Sequence, residues 1–246
     1  MDRIEYEKMH AVEDRMWWYH GLHANLLTAF ARTGRARVGL RVLDAGCGTG
    51  GFLAKLGRAM PGLERIGMDV EPIAAELTAA RASIPVCVAS INQLPFAPGS
   101  LGAIFSADVL YHRAVDQDRA LADLHRCLAP DGVLVLSLPA YDWMFSAHDR
   151  AVHTARRYTR TRLERLLRAA GFAEVRTSYW NSLLFPLMVV RRKLMKTSGA
   201  ASDVMPYPAP IEFLFRAAMR FENFLLRCGI ALPFGGSVLA VAIKHG

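Results

Sequence analysis

The run RVLDAGCGTGG at residues 41–51 constrains this chain more than any other segment. Arg41 to Ala45 reads as a short buried strand that breaks at a glycine cluster. Gly46, Gly48 and Gly51 then form a GxGxxG, and FLAKLGRAM (52–60) has helical spacing up to Pro61-Gly62. A strand turning on glycines into a helix opens a βαβ unit of the nucleotide-binding kind. There, bare backbone and a helix N-terminus can approach a ligand closely. Asp69 closes the next apolar run, LERIGMD (63–69), which places a carboxylate at the tip of a second strand.

The alternation continues along the chain. EPIAAELTAARA (71–82) reads as a helix, IPVCVAS (84–90) and LGAIFSA (101–107) as strands, and Asp116 to Leu128 as a helix. GVLVLSLP (132–139) is a continuous apolar strand, as expected for one covered on both faces. TRTRLERLLRAAGF (159–172) is an amphipathic helix stopped at Gly171, and AEVRTSY and SVLAVAIKH (237–245) supply two last strands. This pattern predicts an α/β fold with a doubly wound, seven-stranded, mostly parallel sheet. The expected division is an N-terminal helical cap (1–38), a core (39–179), a helical insertion (180–236) and the final strand of the core (237–246).

With 52% hydrophobic and 21% charged residues the chain can bury a sizeable core, which excludes dominant disorder. The polar start MDRIEYEKMH argues against a secretory signal. Cys47, Cys87, Cys127 and Cys228 are dispersed, without metal-ligand spacing, and suit a reducing compartment. The expected location is the cytoplasm, including the inner face of its membrane. The net charge of +8 is carried by residues 148–200, a basic segment on a neutral body. That suits a local anionic partner and not a general nucleic-acid surface.

Asp44 decides between ligands. A carboxylate two positions before the first glycine opposes the pyrophosphate of a dinucleotide, yet welcomes the ammonium and sulfonium of S-adenosylmethionine (SAM). Asp69 can accept from both ribose hydroxyls. An NAD-dependent oxidoreductase using the same turn, and a non-catalytic SAM-fold partner protein, stay open as alternatives.

VLDAGCGTG (42–50), GMDVEP, SINQLPFAPGSLGAIFSADVLYH and LAPDGVLVLSLP together resemble the motifs of the class I SAM-dependent methyltransferases, in particular the methyltransferase type 11 group. The resemblance implies a Rossmann-like methyltransferase fold and methyl transfer to an oxygen or nitrogen of a small-molecule acceptor, amphipathic or anionic. It departs from the family where Ser90 replaces a frequent Asp and Leu101-Gly102 a frequent Phe-Asp. The implied cofactor residues are Asp44, Gly46, Cys47, Gly48, Gly50, Asp69, Val70, Ser90, Ile91 and Ser106. His112, His148 and His153 are the candidate catalytic bases, and Tyr111, Arg156, Arg157 and Tyr158 the candidate acceptor contacts. No metal is expected.

The insertion raises a separate expectation. Apolar residues at 213, 214, 217, 218, 221, 224 and 225 form a broad helical stripe, and Arg191, Arg192, Lys193 and Lys196 follow another apolar run. Such surfaces serve as a lid, as a homodimer contact, or as a contact with an anionic membrane or amphipathic lipid.

Overall fold

The computed structural model describes residues 3–146, 149–150, 152–194 and 207–246. Two helices, α1 (Arg3–Val12) and α2 (Trp17–Ala31), precede the first strand. The expected alternation follows as β1 (Arg41–Ala45), α3 (Gly51–Ala59), β2 (Glu64–Asp69), α4 (Pro72–Ala82), β3 (Val86–Val88), β4 (Leu101–Ala107), α5 (Gln117–Cys127) and β5 (Leu128–Pro139). The last elements are α6 (Arg160–Ala169), β6 (Glu174–Trp180), α7 (Phe185–Leu194), α8 (Ala209–Arg227) and β7 (Ser237–Ile243).

The strands form one sheet in the order β3-β2-β1-β4-β5-β7-β6. β1 to β5 run parallel, and β7 enters antiparallel between β5 and β6. Alternation along each strand fills both faces. Leu43, Ile104, Leu134 and Leu136 join Leu121 and Leu124 of α5 and Leu163 and Leu167 of α6 in one core. Val42, Phe105, Val133 and Val135 join Phe30 of α2 and Leu53 and Leu56 of α3 in the other, together with Phe215 and Met219 of α8. The predicted fold class is the observed one.

Boundaries differ locally. The third strand is only Val86–Val88, and the fifth starts at Leu128. The helix before it stops at Cys127, and the chain leaves directly in extended conformation with a register shift opposite Leu101 and Ala103. Asp116 caps α5 by accepting from Arg119 N, and Thr159 caps α6 by accepting from Arg162 N. Gly171, at φ +96°, ends the latter helix as expected.

Helix α8 packs on α2, with Met219 against the bare backbone of Gly21, where a Cβ would lie 3.0 Å from the Met219 side chain. Its inward face mixes Phe215, Met219 and Leu226 with buried Glu212, Glu222 and Asn223. Most of these buried polar groups are matched, although Glu222 Oε2 has no hydrogen-bond partner among the described residues. Glu212 accepts from Trp17 N (2.9 Å) at the start of α2, where a carboxylate complements the helix dipole, and from Tyr207 N (3.0 Å). Glu222 accepts from Leu183 N at 2.7 Å, and Asn223 Nδ2 donates to Asn25 Oδ1 (3.0 Å) and Thr28 Oγ1 (2.9 Å).

Candidate functional site

In an open parallel sheet the chain leaves β1 for β2 on one side, and β4 lies on the other. The crevice where those directions diverge, at the carboxyl ends of the strands, is where a ligand fits. A cavity of about 780 Å³ opens there.

Its inner half is built from the turn after β1. Gly46 N and Cys47 N donate to Met68 O (2.7 and 3.0 Å), which folds the turn back over β2. Gly46 has φ +98°, and a Cβ on it would lie 2.1 Å from Val109 Cγ2, so only glycine fits against the loop after β4. Gly48 N donates to Asp69 Oδ2 (3.0 Å), while Glu71 N (3.1 Å) and the Tyr6 hydroxyl (3.3 Å) donate to Asp69 Oδ1. Burial pushes the Asp69 carboxyl up, and these hydrogen bonds oppose the shift. Asp44 is buried at the end of β1, and Gly50, not Asp44, is the N-cap of α3. Burial first, then the charges of Asp69 and Glu13, raises the Asp44 carboxyl to about 8. These two acids act on one another, and no arginine or lysine offsets the shift at Asp44, although Arg113, Arg157, Arg191 and Arg192 line other parts of the cavity.

Glu13, between α1 and α2, closes this half from outside. It accepts from Thr49 Oγ1 and Arg81, and His23 Nε2 lies 3.5 Å away. The sequence reading missed Glu13, Tyr6 and Met9 because nothing in the spacing of an N-terminal helix reports what it covers.

Of the expected cofactor residues, Asp44, Gly46, Cys47, Gly48, Asp69, Val70, Ser90 and Ile91 line the cavity. Gly50 and Ser106 do not. Gly50 packs on Thr78, and Ser106 Oγ donates to Ala45 O at 2.7 Å, tying β4 to β1. Burial keeps the Cys47 thiol protonated, so it is no nucleophile.

The outer half is assembled from two segments that pair with each other. Arg113 N donates to His153 O (3.1 Å) and Ala155 N to Tyr111 O (2.8 Å), which brings His112 and His153 to the same cavity. Burial holds the His112 imidazole below its usual value, so it is neutral at pH 7. Tyr111 is a cavity wall, its phenol kept protonated by burial. His148 lies outside the described residues.

The remaining expected acceptor contacts are engaged elsewhere. Arg157 lines the cavity, but its guanidinium grips buried Asp149 through Nε and Nη2 (2.9 Å each) and donates from Nη1 to Ala140 O (3.0 Å). Tyr158 is wholly buried, its hydroxyl 3.1 Å from Leu110 O and 3.0 Å from Gln117 Oε1. Arg156 lies off the cavity and donates to Val115 O at 3.2 Å. All three are thus engaged by neighbouring protein groups.

Asp108 is the residue the sequence reading passed over. It follows β4 directly, has φ +56°, and lines the cavity. Its Oδ2 is buried with no hydrogen-bond partner among the described residues. Burial raises this carboxyl to about 7, against the opposing charge of Arg157. Its position after a central strand was the available signal. From the insertion, Leu184, Leu187, Met188, Tyr207 and Phe215 add an apolar wall, and Arg191 and Arg192 add cations. No cluster among the described residues could hold a metal ion.

Comparison with known proteins bears on the fold and on the segment that carries the glycine turn. Residues 42–132 match the family model described as a methyltransferase domain. A malonyl-[acyl-carrier protein] O-methyltransferase of Methylococcus capsulatus is 32% identical over 171 residues, covering 65% of this chain and 62% of the relative. A 37.1 kDa protein of a Streptomyces fradiae transposon is 29% identical over 77% of this chain and 51% of its own length. The chain thus spans about half the length of the first of the curated relatives it matches. Among solved structures, a SAM-dependent methyltransferase of Thermotoga maritima superposes with a TM-score of 0.59 at 18% identity, over 98% of this chain and 94% of that one. Haemonchus contortus phosphoethanolamine N-methyltransferase 2, solved with SAM, gives 0.61 at 16% identity, over 90% of this chain and 52% of that one. Residues 42–132 are thus similar to a methyltransferase domain, and the fold around them is the one these solved methyltransferases share.

Proposed function

We propose that this chain is an enzyme that binds SAM in the inner half of the cavity and methylates an oxygen or nitrogen of a small amphipathic, anionic acceptor in the outer half. The observation that carries the reading is a single cavity joining the Asp44–Asp69 pair to Asp108, Tyr111 and His112. The inner half suits the cofactor. Gly46 and Gly48 leave backbone bare where a Cβ would collide, and Asp69 presents its carboxylate at a strand tip. Asp44, raised to about 8, regains its charge beside a cation such as an ammonium. A pyrophosphate offers this pair of acids no cation, which disfavours the dinucleotide alternative.

When bound, SAM supplies a methyl group on a sulfonium, an electrophile with a good leaving group. The chain's own residues then align the acceptor and take its proton. Asp108, raised to about 7 and without a partner at Oδ2 among the described residues, is the proton acceptor, and neutral His112 and Tyr111 orient the nucleophile. Leu184, Leu187, Met188 and Phe215 suit an apolar tail, and Arg191 and Arg192 an anionic group.

Mass spectrometry of acceptor mixtures incubated with the protein and SAM tests this directly, reading products heavier by one methyl. Transfer to anionic amphiphiles supports the assignment. Transfer confined to hydrophilic cations contradicts the acceptor class, and transfer to none contradicts the activity. Asp108→Asn should lower kcat by roughly 10²- to 10⁴-fold, the usual scale for general-base removal, with SAM affinity unchanged.

A further inference from the structure

Helix α8 buries two acids and an asparagine while it leaves several large apolar side chains exposed. At about 100° per residue, the buried positions 212, 215, 219, 222, 223 and 226 fill one sector. The opposite sector holds Phe213, Leu214, Phe221 and Phe224, which are 72%, 63%, 54% and 57% exposed. This strip, from 213 to 224, is about 16 Å long at the α-helical rise. Exposed Ile230 lies just past the C-terminal end of the helix, and exposed Leu183 beside it, its N–H held by Glu222. None of the four exposed side chains of the strip belongs to either hydrophobic core. A soluble surface rarely keeps such a patch without a use.

Between the two sectors runs a cationic margin. Arg216, Arg220 and Arg227 line a groove of about 320 Å³ between α2 and α8, together with His20 and Phe224. Arg216 is partly engaged, donating to Arg15 O and lying 3.9 Å from Glu212. Arg220 and Arg227 have no carboxylate within ion-pair distance among the described residues. The acids of α8, Glu212 and Glu222, both point inward. A second copy packed on this face about a two-fold axis would meet the same arginines with no acid opposite them. A surface both apolar and anionic complements it fully.

We propose that the outer face of α8 docks this protein on a bilayer of anionic phospholipids, with the aromatic strip in the acyl boundary and lipid phosphates in the arginine groove. No helix among the described residues is long and apolar enough to cross a membrane, and the contact proposed is with one surface only. Docking does not depend on the reaction, since none of the strip residues lines the large cavity.

The test is co-sedimentation of the full chain with phosphatidylcholine vesicles, with and without phosphatidylglycerol. The parent protein should pellet with the phosphatidylglycerol vesicles at low salt and be released as salt screens the arginines. Phe213→Ser/Phe221→Ser and Arg220→Glu/Arg227→Glu should each reduce pelleting about tenfold or more, with the melting temperature and SAM affinity of the parent. Absence of pelleting at low salt overturns the proposal, as does pelleting of both double variants like the parent. So does a dimer in sedimentation velocity that Phe213→Ser/Phe221→Ser converts to monomer, since a second copy would then own the face.

Discussion

The glycine turn after β1 and the helix α8 are both dominated by one kind of residue, and they differ in what that composition determines. In the turn, each glycine answers a local demand: Gly46 at φ +98° against Val109, Gly48 at φ +55° under Met9, Gly50 at φ +79° against Thr78. Backbone geometry alone nearly dictates the residue. In α8, apolar periodicity dictates a helix but not its orientation. Three buried polar side chains, Glu212, Glu222 and Asn223, decide which face turns inward, because their partners on α2 and at residue 183 lie there. A turn is fixed by its own chain, whereas a helix face is fixed by its neighbours.

The largest effect that can break this contrast is Gly46→Ala. A φ strain of about 1 to 3 kcal/mol adds to overpacking of similar size against Val109, so unfolding in urea should show a loss of about 3 kcal/mol. A loss below about 1 kcal/mol would mean that the turn yields as readily as a surface loop.

Asp44→Asn should show its effect chiefly as a change in pH dependence. The carboxyl is raised from 3.8 to about 8 in the folded chain, so the folded state holds a proton that the unfolded state has lost between those values. Stability of the ligand-free parent therefore falls as pH climbs from about 4 to about 8. The Asn variant escapes this, so its melting temperature should pull ahead across that window, by about 2 to 4 °C for each kcal/mol relieved. Calorimetric scans that find a gap independent of pH would deny that Asp44 is a buried, uncompensated carboxyl awaiting a cation.

The smallest effect belongs to α8. Phe224→Ser on the outward face should change stability by no more than about 0.5 kcal/mol in the same urea titration. A loss of several kcal/mol would place that face in a core and erase the contrast.

The same distinction explains what was legible in the sequence. The sheet, its glycine turn and the pair Asp44 and Asp69 could be read because strand period and turn chemistry are local. The outer half of the cavity could not. Tyr158 and Arg157 looked like ligand contacts, but fold back onto Leu110 O and onto Asp149, partners that only the tertiary structure supplies. Asp108 was hidden for the converse reason. One acidic residue after a strand is unremarkable until burial, with no partner at Oδ2 among the described residues, marks it. His112 and His153 share the cavity through pairing of two loops distant in the chain, and no spacing rule foretells that.

Isothermal titration calorimetry with SAM tests the central claim most directly. The account predicts that SAM and S-adenosylhomocysteine bind at roughly micromolar Kd, a common scale for enzyme ligands. Asp69→Ala should weaken both by about 1 to 3 kcal/mol through lost hydrogen bonds to a charged acceptor. Heat of binding for NADH with none for SAM would contradict it, and would return the glycine turn to a dinucleotide.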